Sequence, residues 1–145
     1  MKKLGFLFAI TLLVFSGCKK YEDGPAFSLR TKAERLSNTW IINSASEDGV
    51  DKTSDFNSFY AGYSLTINKG NTYSLSYRIL NVTDYSESGT WVFNGEKTHV
   101  LFNGNQNNGS DWTILRLKEK ELWGQFTDNS SSTPHVYELH LTPKF

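Results

Sequence analysis

Most of the chain alternates apolar and polar residues with a period of two, which is typical of strands with one buried face. Residues 63–67 are Tyr-Ser-Leu-Thr-Ile, and residues 73–79 are Tyr-Ser-Leu-Ser-Tyr-Arg-Ile. Between them, residues 68–71 are Asn-Lys-Gly-Asn. Gly70 offers the positive φ that a tight turn requires, so we expect an antiparallel hairpin with this glycine in the turn.

The same pattern recurs along the rest of the chain. A second hairpin turns at Asn94-Gly95, which is the strongest short hairpin signal. The further strands expected are residues 39–45, 89–93, 98–102, 111–117, 122–126 and a last strand around 137–141. About eight strands with short connections favour an all-β fold, an antiparallel up-and-down barrel, because parallel strands need long crossovers. Closure also removes exposed sheet edges.

Helical periodicity occurs in one short segment before the first strand. Leu29, Ala33 and Leu36 recur at the spacing of a helix face, and Ser28 is a suitable N-cap. We therefore expect a short N-terminal helix over residues 28–36. Asp84 and Glu87 precede the strand at 89–93 and are expected in a polar turn, where water solvates them.

The first 17 residues differ from the rest of the chain. Lys2 and Lys3 precede an apolar run of about a dozen residues, too short for the ~20 that cross a bilayer, and small residues follow. This composition predicts a secretion signal. The next residues, Phe15-Ser16-Gly17-Cys18, resemble the lipobox of bacterial lipoproteins, with Phe15 where Leu is commonest. The resemblance implies cleavage before Cys18 and attachment of acyl chains such as palmitate, with an uncleaved anchor as the alternative.

Cysteine usage agrees with lipidation, since Cys18 is the single cysteine of the chain and no disulfide can form within it. Residues 18–27 contain a Gly-Pro breaker among polar residues and are expected to form a tether. Residues 28–145 then form one barrel domain. Tyr21-Glu22-Asp23 is similar to the surface-display signal of Bacteroidetes-type lipoproteins. We therefore expect a lipid anchor in the cell outer membrane, with periplasmic and surface display both open.

Charge excludes one class of partner. The 145 residues include 15 Lys and Arg against 15 Asp and Glu, for a formal net charge of zero. Without Lys2 and Lys3 the net charge is −2. A net charge of zero removes the sequence-independent attraction to phosphate that supplies most non-specific nucleic-acid affinity, so nucleic acid is not an expected partner.

Several short motifs resemble one family. Leu36-Ser37-Asn38-Thr39-Trp40 resembles the Leu-x-Gly-x-Trp opening of lipocalins and of bacterial lipocalin-like lipoproteins, with Asn38 where Gly is usual. Gly89-Thr90-Trp91-Val92-Phe93 and the segments 63–73 and 113–123 are similar to the bacterial group. The resemblance covers about residues 28–145. It implies an eight-stranded barrel or a flattened relative, usually without catalysis and sometimes with an interior site for an apolar ligand.

No standard catalytic signature occurs, so we expect neither an enzyme nor a cofactor. His99, His135 and His140 are the only histidines, and the last two are five residues apart, on opposite faces of a strand. Residues 103–111 superficially suggest a calcium loop but lack its carboxylates, which favours an Asn/Gly-rich hairpin loop. No metal site is expected.

Aromatic residues are the most informative group for function. Eighteen of the 21 remain after the signal segment. Turning the apolar face of each strand inward places five aromatics in the barrel: Tyr63, Tyr73, Tyr77, Trp91 and Tyr137. They either fill the core or line a cleft that orients an amphipathic ligand. The cluster at Phe56, Phe59 and Tyr60 is either a lid or a plug at one end of the barrel.

The sequence thus predicts a non-enzymatic, lipid-anchored envelope protein that binds an apolar small molecule in a barrel. The membrane, reached through Cys18, is one expected partner. The alternative function is an accessory subunit of an outer-membrane protein complex that acts through the outer surface of the barrel.

Overall fold

The computed structural model describes residues 29–104 and 109–145. The predicted signal, Cys18, the tether, the Ser28 cap and residues 105–108 of the predicted hairpin loop lie outside these ranges. Within them the elements in chain order are α1 (Lys32–Leu36), β1 (Thr39–Glu47), β2 (Val50–Asp51), α2 (Thr53–Phe59), β3 (Tyr60–Ile67), β4 (Thr72–Ile79), β5 (Thr83–Phe93), β6 (His99–Gly104), β7 (Ser110–Leu117), β8 (Leu122–Asp128) and β9 (His135–Pro143). Neither described helix is long and apolar enough to cross a bilayer.

Eight antiparallel strands close into a barrel, as the sequence predicts. β1 pairs with β3, each later strand pairs with the next, and β9 returns to pair with β1. The closing register joins Trp40 to Pro143 and Glu47 to Tyr137. The two-residue β2 pairs with the end of β1 outside this circle. Closure leaves no free edge along the paired length, because the hydrogen bonds of the last strand are satisfied by the first.

The first helix is shorter than predicted and begins at a different cap. Thr31 is the N-cap, and its side chain accepts a hydrogen bond from the Glu34 amide while the Glu34 carboxylate accepts one from the Thr31 amide. Thr31-Lys32-Ala33-Glu34 is therefore a capping box, a signal the sequence contains at this position. The box starts the helix at Lys32, three residues after Leu29.

The first two hairpins form at the predicted positions, but their glycines do not have the expected conformation. Positive φ occurs at Asn71 and Lys97, and neither Gly70 nor Gly95 has it. Both connections are longer than two residues. Such loops are commonly built around a type I turn with the left-handed residue last. Asn71 and Lys97 therefore have the left-handed conformation that was expected of a glycine.

Strand β5 is six residues longer than the predicted strand at 89–93. The expected polar turn is wrong: Asp84 and Glu87 lie in this strand, where they pair with Arg78 and Leu75 of β4. Their side chains consequently point to opposite faces of the sheet. Asp84 faces outward and forms an ion pair with Arg78, whereas Glu87 faces the interior.

Helix α2 fills a seam in the barrel wall. β1 pairs with β3 only at Thr39 and Trp40, near one end. Beyond that point the amide of Ala45 donates to the Thr53 hydroxyl at 3.0 Å, and the Lys52 amide donates to the Ala45 carbonyl at 2.9 Å. The segment that leads into α2 therefore satisfies the backbone of β1 where β3 has moved away.

The two ends of the barrel differ. We call the end that carries α1 and the turns at 68–71, 94–98 and 118–121 the closed end. We call the end that carries α2 and the connections at 80–82 and 129–134 the open end. At the closed end Leu36, Trp40 and Leu117 are 0% exposed, and the Trp40 indole donates to the Leu36 carbonyl at 2.8 Å. The helix is thereby fixed as a cover over that end.

Candidate functional site

Burial of the inward side chains falls from the closed end to the open end. Those near the closed end are fully buried, whereas several inward residues toward the open end are only half-buried: Tyr77, Tyr85, Glu87, Phe126 and Tyr137. The registers place these five on the interior face, since Tyr77 pairs with Tyr85 and Phe126 with Tyr137. These five side chains therefore reach solvent at the open end, whereas the inward rings Tyr73, Phe102 and Trp112 are only 3 to 7% exposed.

Aromatic rings follow one another around the barrel interior in a continuous series that we call the aromatic circuit. In order its members are Tyr73, Phe102, Trp112, Phe126, Tyr137, Phe56, Tyr60, Tyr77 and Tyr85. Successive ring centroids lie 4.5 to 6.3 Å apart. Stacked and edge-on pairs at such distances are the favourable arrangements for aromatic side chains. The circuit draws on every barrel strand except β1, and Phe56 of α2 supplies the ring at that seam.

A carboxylate closes the circuit between its last and first members. Glu87 Oε2 accepts a hydrogen bond from the Tyr85 hydroxyl at 2.9 Å, and Oε1 accepts one from the Tyr73 hydroxyl. Gly104 on the neighbouring strand makes room for this group, because a Cβ there would lie 2.5 Å from Glu87 Oε1. A charged acceptor is thus held inside the barrel by two phenols.

A second carboxylate lies across the opening. Glu47 Oε1 accepts a hydrogen bond from the Tyr137 hydroxyl at 3.1 Å and lies 3.3 Å from His135 Nδ1. His135 also pairs with Asp48, with 2.8 Å between Nδ1 and Oδ2. Asp48 Oδ1 accepts from the Val136 amide at 2.9 Å. These contacts hold the turn after β1 against the start of β9.

The environment raises the pKa of the phenols in this region. Burial raises the pKa of Tyr77 to about 12, and burial with the hydrogen bond to Glu47 raises that of Tyr137 to about 12. Burial followed by the bond to Glu87 raises the pKa of Tyr73 well above its usual value. The hydrogen bond to Asp48 raises the pKa of His135, and the bonds from Val136 and His135 lower that of Asp48. The phenols therefore stay neutral donors at neutral pH.

The five aromatics predicted to face inward all do so. Tyr73, Tyr77 and Tyr137 belong to the aromatic circuit, and Tyr63 is stacked 6.4 Å from Tyr77. Trp91 lies toward the closed end, 2% exposed, and its indole donates to the Asn68 carbonyl at 2.9 Å. Trp91 therefore packs in the core, far from the open end. That any of the five binds a ligand stays a prediction.

The other two tryptophans lie on opposite sides of the sheet. Trp112 faces the interior within the aromatic circuit. Trp123 faces outward, where it stacks on His140 at 4.0 Å and lies under the Arg116 guanidinium at 4.5 Å.

Glu87, Tyr85 and Glu47 are among the interior residues that the sequence reasoning missed. A signal existed for the first two: the alternation of Trp91 and Phe93 continues backward through Gly89, Glu87 and Tyr85. Glu87 interrupts the apolar pattern, which is why the pattern predicts a turn in this segment. Glu47 lies at the end of β1 beyond a register shift between Ile42 and Ser44, which alternation alone does not reveal.

The cluster predicted as a lid or a plug lies at the open end. Phe56 packs on Tyr60 at 4.5 Å and faces Tyr137 at 6.3 Å, whereas Phe59 is 41% exposed. α2 therefore inserts one ring into the wall and leaves the other at the surface. It fills the seam between β1 and β3 and does not extend the strand pairing.

Two of the histidines behave as the strand spacing predicts. His135 lies at the open end beside Asp48, and His140 lies on the outer face against Trp123. In the described residues, Glu47, Asp48 and His135 form the one group of three side chains whose ligand atoms could hold a metal ion. Each of these side chains has a hydrogen-bonding partner within the protein. The closeness of the three is therefore explained by the ion pairs of His135 with Asp48 and Glu47.

The outer surface also has shallow concave regions. One of them has a volume of about 520 Å³, lies beside β3, β4 and β5 at the open end, and has Tyr77 and Tyr85 among its lining residues. Arg78 and Asp84, which form an ion pair there, are among its lining residues. The groove therefore presents an ion pair beside two rings of the aromatic circuit.

Comparisons with known proteins bear on the fold. No protein-family model matches the sequence, and neither does any curated protein. Among solved structures, a lipocalin-like protein from Bacteroides uniformis is similar with a TM-score of 0.55 at 8% identity, over 76% of this chain and 99% of that one. The bovine lipocalin allergen Bos d 2 has a TM-score of 0.52 at 10% identity, over 79% and 76% of the two chains. The chain therefore has the lipocalin-like barrel fold.

Proposed function

We propose that this protein is a lipid-anchored envelope protein whose barrel binds a small, largely apolar molecule at its open end without catalysing a reaction. One observation carries the proposal: the inward side chains are fully buried at the closed end, whereas four rings of the aromatic circuit, Tyr77, Tyr85, Phe126 and Tyr137, are half-buried toward the open end. An apolar concave lining with a few placed polar groups is the usual form of a small-molecule site.

The histidines support binding over catalysis. His99 pairs with Asp111, His135 with Asp48 and His140 with Glu138, each at 2.6 to 2.8 Å. The pairs of His99 and His140 lie on the outer face of the sheet. The pair of His135 with Asp48 joins the turn after β1 to the start of β9 at the open end. The described geometry thus uses its histidines in pairs with carboxylates, and a nucleophile with a base in a deep pocket is not among them.

The closed end is the part of the barrel suited to face a bilayer. Of the eleven Lys and Arg in the described residues, nine lie at this end: Arg30, Lys32, Arg35, Lys69, Lys97, Arg116, Lys118, Lys120 and Lys144. Leu29 and Phe145 are fully exposed at the same end. Basic side chains around exposed apolar ones suit an anionic lipid surface.

The position of the predicted anchor agrees with this orientation. Cys18 precedes Leu29 by eleven residues, so a lipid on its sulfur would hold the closed end near the bilayer and leave the open end toward the aqueous side. Outer-membrane attachment, in either the periplasmic or the surface orientation, is part of the proposal.

Anchoring is tested by metabolic labelling with palmitate. The native chain should incorporate label and partition into detergent, and the Cys18→Ser variant should lose both properties. A matched Ser16→Ala variant keeps the sulfur and should be labelled. Absence of label on the native chain would refute the anchor.

Ligand binding is tested on the chain from Lys19 onward, which contains every strand of the barrel. Native mass spectrometry should reveal a co-purifying small molecule, and the neutral fluorescent probe N-phenyl-1-naphthylamine should bind with increased emission. A bare polypeptide that leaves the probe unaffected would refute binding. If that chain also retained a stoichiometric outer-membrane protein in pull-downs, the accessory-subunit function would replace the proposed one.

A further inference from the structure

We propose that the open end of the barrel selects a ligand with a cationic group, a protonated amine or quaternary ammonium attached to a small apolar body. This inference rests on the proposed function and adds the chemical class of the ligand. It comes from the distribution of charge inside the barrel.

The ionisable groups on the inward face of the described strands are nearly all acidic. Besides tyrosines they are Glu47, Glu87, Asp128 and His135, and no Lys or Arg occupies an inward position in those strands. His135 has Asp48 and Glu47 as partners. The interior therefore has negative charge that the protein does not neutralise.

Glu87 is the group that most needs a partner. Its carboxylate accepts hydrogen bonds from Tyr73 and Tyr85, and it forms no ion pair with any described residue. A carboxylate inside a barrel loses part of its hydration, which is unfavourable unless an opposite charge approaches it. The two hydroxyls fix its direction, but neither carries a positive charge.

The rings next to this carboxylate suit a cation as well. Tyr77 and Tyr85 stack at 4.6 Å with 21° between their planes, and Tyr60 meets Tyr77 edge-on at 5.0 Å. Ring faces attract cations through their quadrupole, and the attraction grows where water is partly excluded. A carboxylate beside phenol rings thus combines two sources of affinity for one ammonium group.

The charge around the opening acts in the same direction. Seven acidic residues belong to the open end, namely Glu47, Asp48, Asp51, Asp55, Asp84, Glu87 and Asp128, against Lys52 and Arg78. Both cations are paired, with Asp55 and Asp84 respectively. A cleft with one predominant sign of charge concentrates ligands of the opposite sign and repels those of the same sign.

The test compares three probes of similar shape by calorimetric titration of the chain from Lys19 onward. We expect cationic phenethylamine to bind about tenfold more tightly than neutral 2-phenylethanol, and anionic 3-phenylpropionate to bind most weakly. The Glu87→Gln variant should lose about tenfold in affinity for phenethylamine and keep its affinity for 2-phenylethanol. The matched control is Asp84→Asn, which removes the same charge from the outward face of the same strand and should leave both affinities unchanged.

The outcomes separate this inference from the proposed function. Equal affinities for the amine and the alcohol, or an amine affinity that survives Glu87→Gln in a folded variant, would overturn the cationic class while small-molecule binding stands. Failure of N-phenyl-1-naphthylamine and of all three probes would refute the proposed function. If Glu87→Gln fails to fold, the order of the three probe affinities on the native protein still decides whether the ligand class is cationic.

Discussion

The indole of Trp112 lies directly against Gly124 of the neighbouring strand. A Cβ built on this glycine would be 2.6 Å from Trp112 Cε3, far inside contact distance. The ring also stacks on Phe126 at 5.2 Å and meets Phe102 edge-on at 5.5 Å. The absence of a side chain at position 124 is therefore what allows the indole to lie across the interior as a member of the aromatic circuit.

Replacing Gly124 by Ala should displace Trp112 and destabilise the barrel. Overpacking of a dense core typically costs about 1–3 kcal/mol, and we expect that loss in the free energy of unfolding measured by urea titration. Gly95→Ala is the control, since a Cβ there has no neighbour within 4 Å and should cause no loss. Equal stability of the two variants would show that Trp112 moves without cost.

Leu36 should be among the most sensitive positions of the closed end. Its side chain is 0% exposed beneath Trp40, and truncation would leave a cavity that the barrel wall cannot fill. Leu36→Ala should lower the free energy of unfolding by about 2–5 kcal/mol. Leu29→Ala removes the same atoms from a fully exposed side chain and should change stability by less than about 0.5 kcal/mol. A small loss at both positions would contradict the role of α1 as a cover.

The clamp between Asp48 and His135 should depend on pH. Because the bond to Asp48 raises the pKa of His135 above its usual 6.5, the protonated form is favoured in the folded state. Its stabilising contribution is complete below about pH 6.5 and is lost as pH rises through the raised value. Titration by NMR should find this elevated pKa. Asp48→Asn should lower it, whereas Asp55→Asn, which removes an acid paired with Lys52, should not.

The interior phenols should make the barrel sensitive to alkali. Tyr77 and Tyr137 have pKa values of about 12 in the fold against 10.0 for an ordinary tyrosine. A raised pKa contributes stability that is complete below pH 10 and is lost as pH rises toward 12. Absorbance titration at 295 nm should therefore show late ionisation, together with falling stability. Glu87→Gln should lower the pKa of Tyr73, because its bonded carboxylate helps to raise it. Phenols that all ionise near pH 10 in the folded protein would contradict this environment.

Local rules found the strands but failed at two places, Glu87 and Gly70. Period-two alternation located the hairpin of β3 and β4, yet it stopped β5 at Gly89 because Glu87 broke the apolar pattern. The glycine rule placed positive φ at Gly70, whereas a longer loop put it at Asn71. At Glu87 the deciding partner is the neighbouring strand β4, which a short window of sequence around β5 does not contain.

The sequence by itself determined the fold class and the inward facing of five aromatic residues, because alternation fixes which side chains share a face once a strand exists. Only the tertiary structure decided which end is packed and which is open, since that depends on α1 covering one end and on β1 leaving β3 at the other. It also decided that Glu87 meets Tyr73 and Tyr85, because these residues become neighbours only when the strand register is set. Which acidic side chains meet inside the barrel consequently depends on how the strands pair and close, and no linear pattern of residues specifies it.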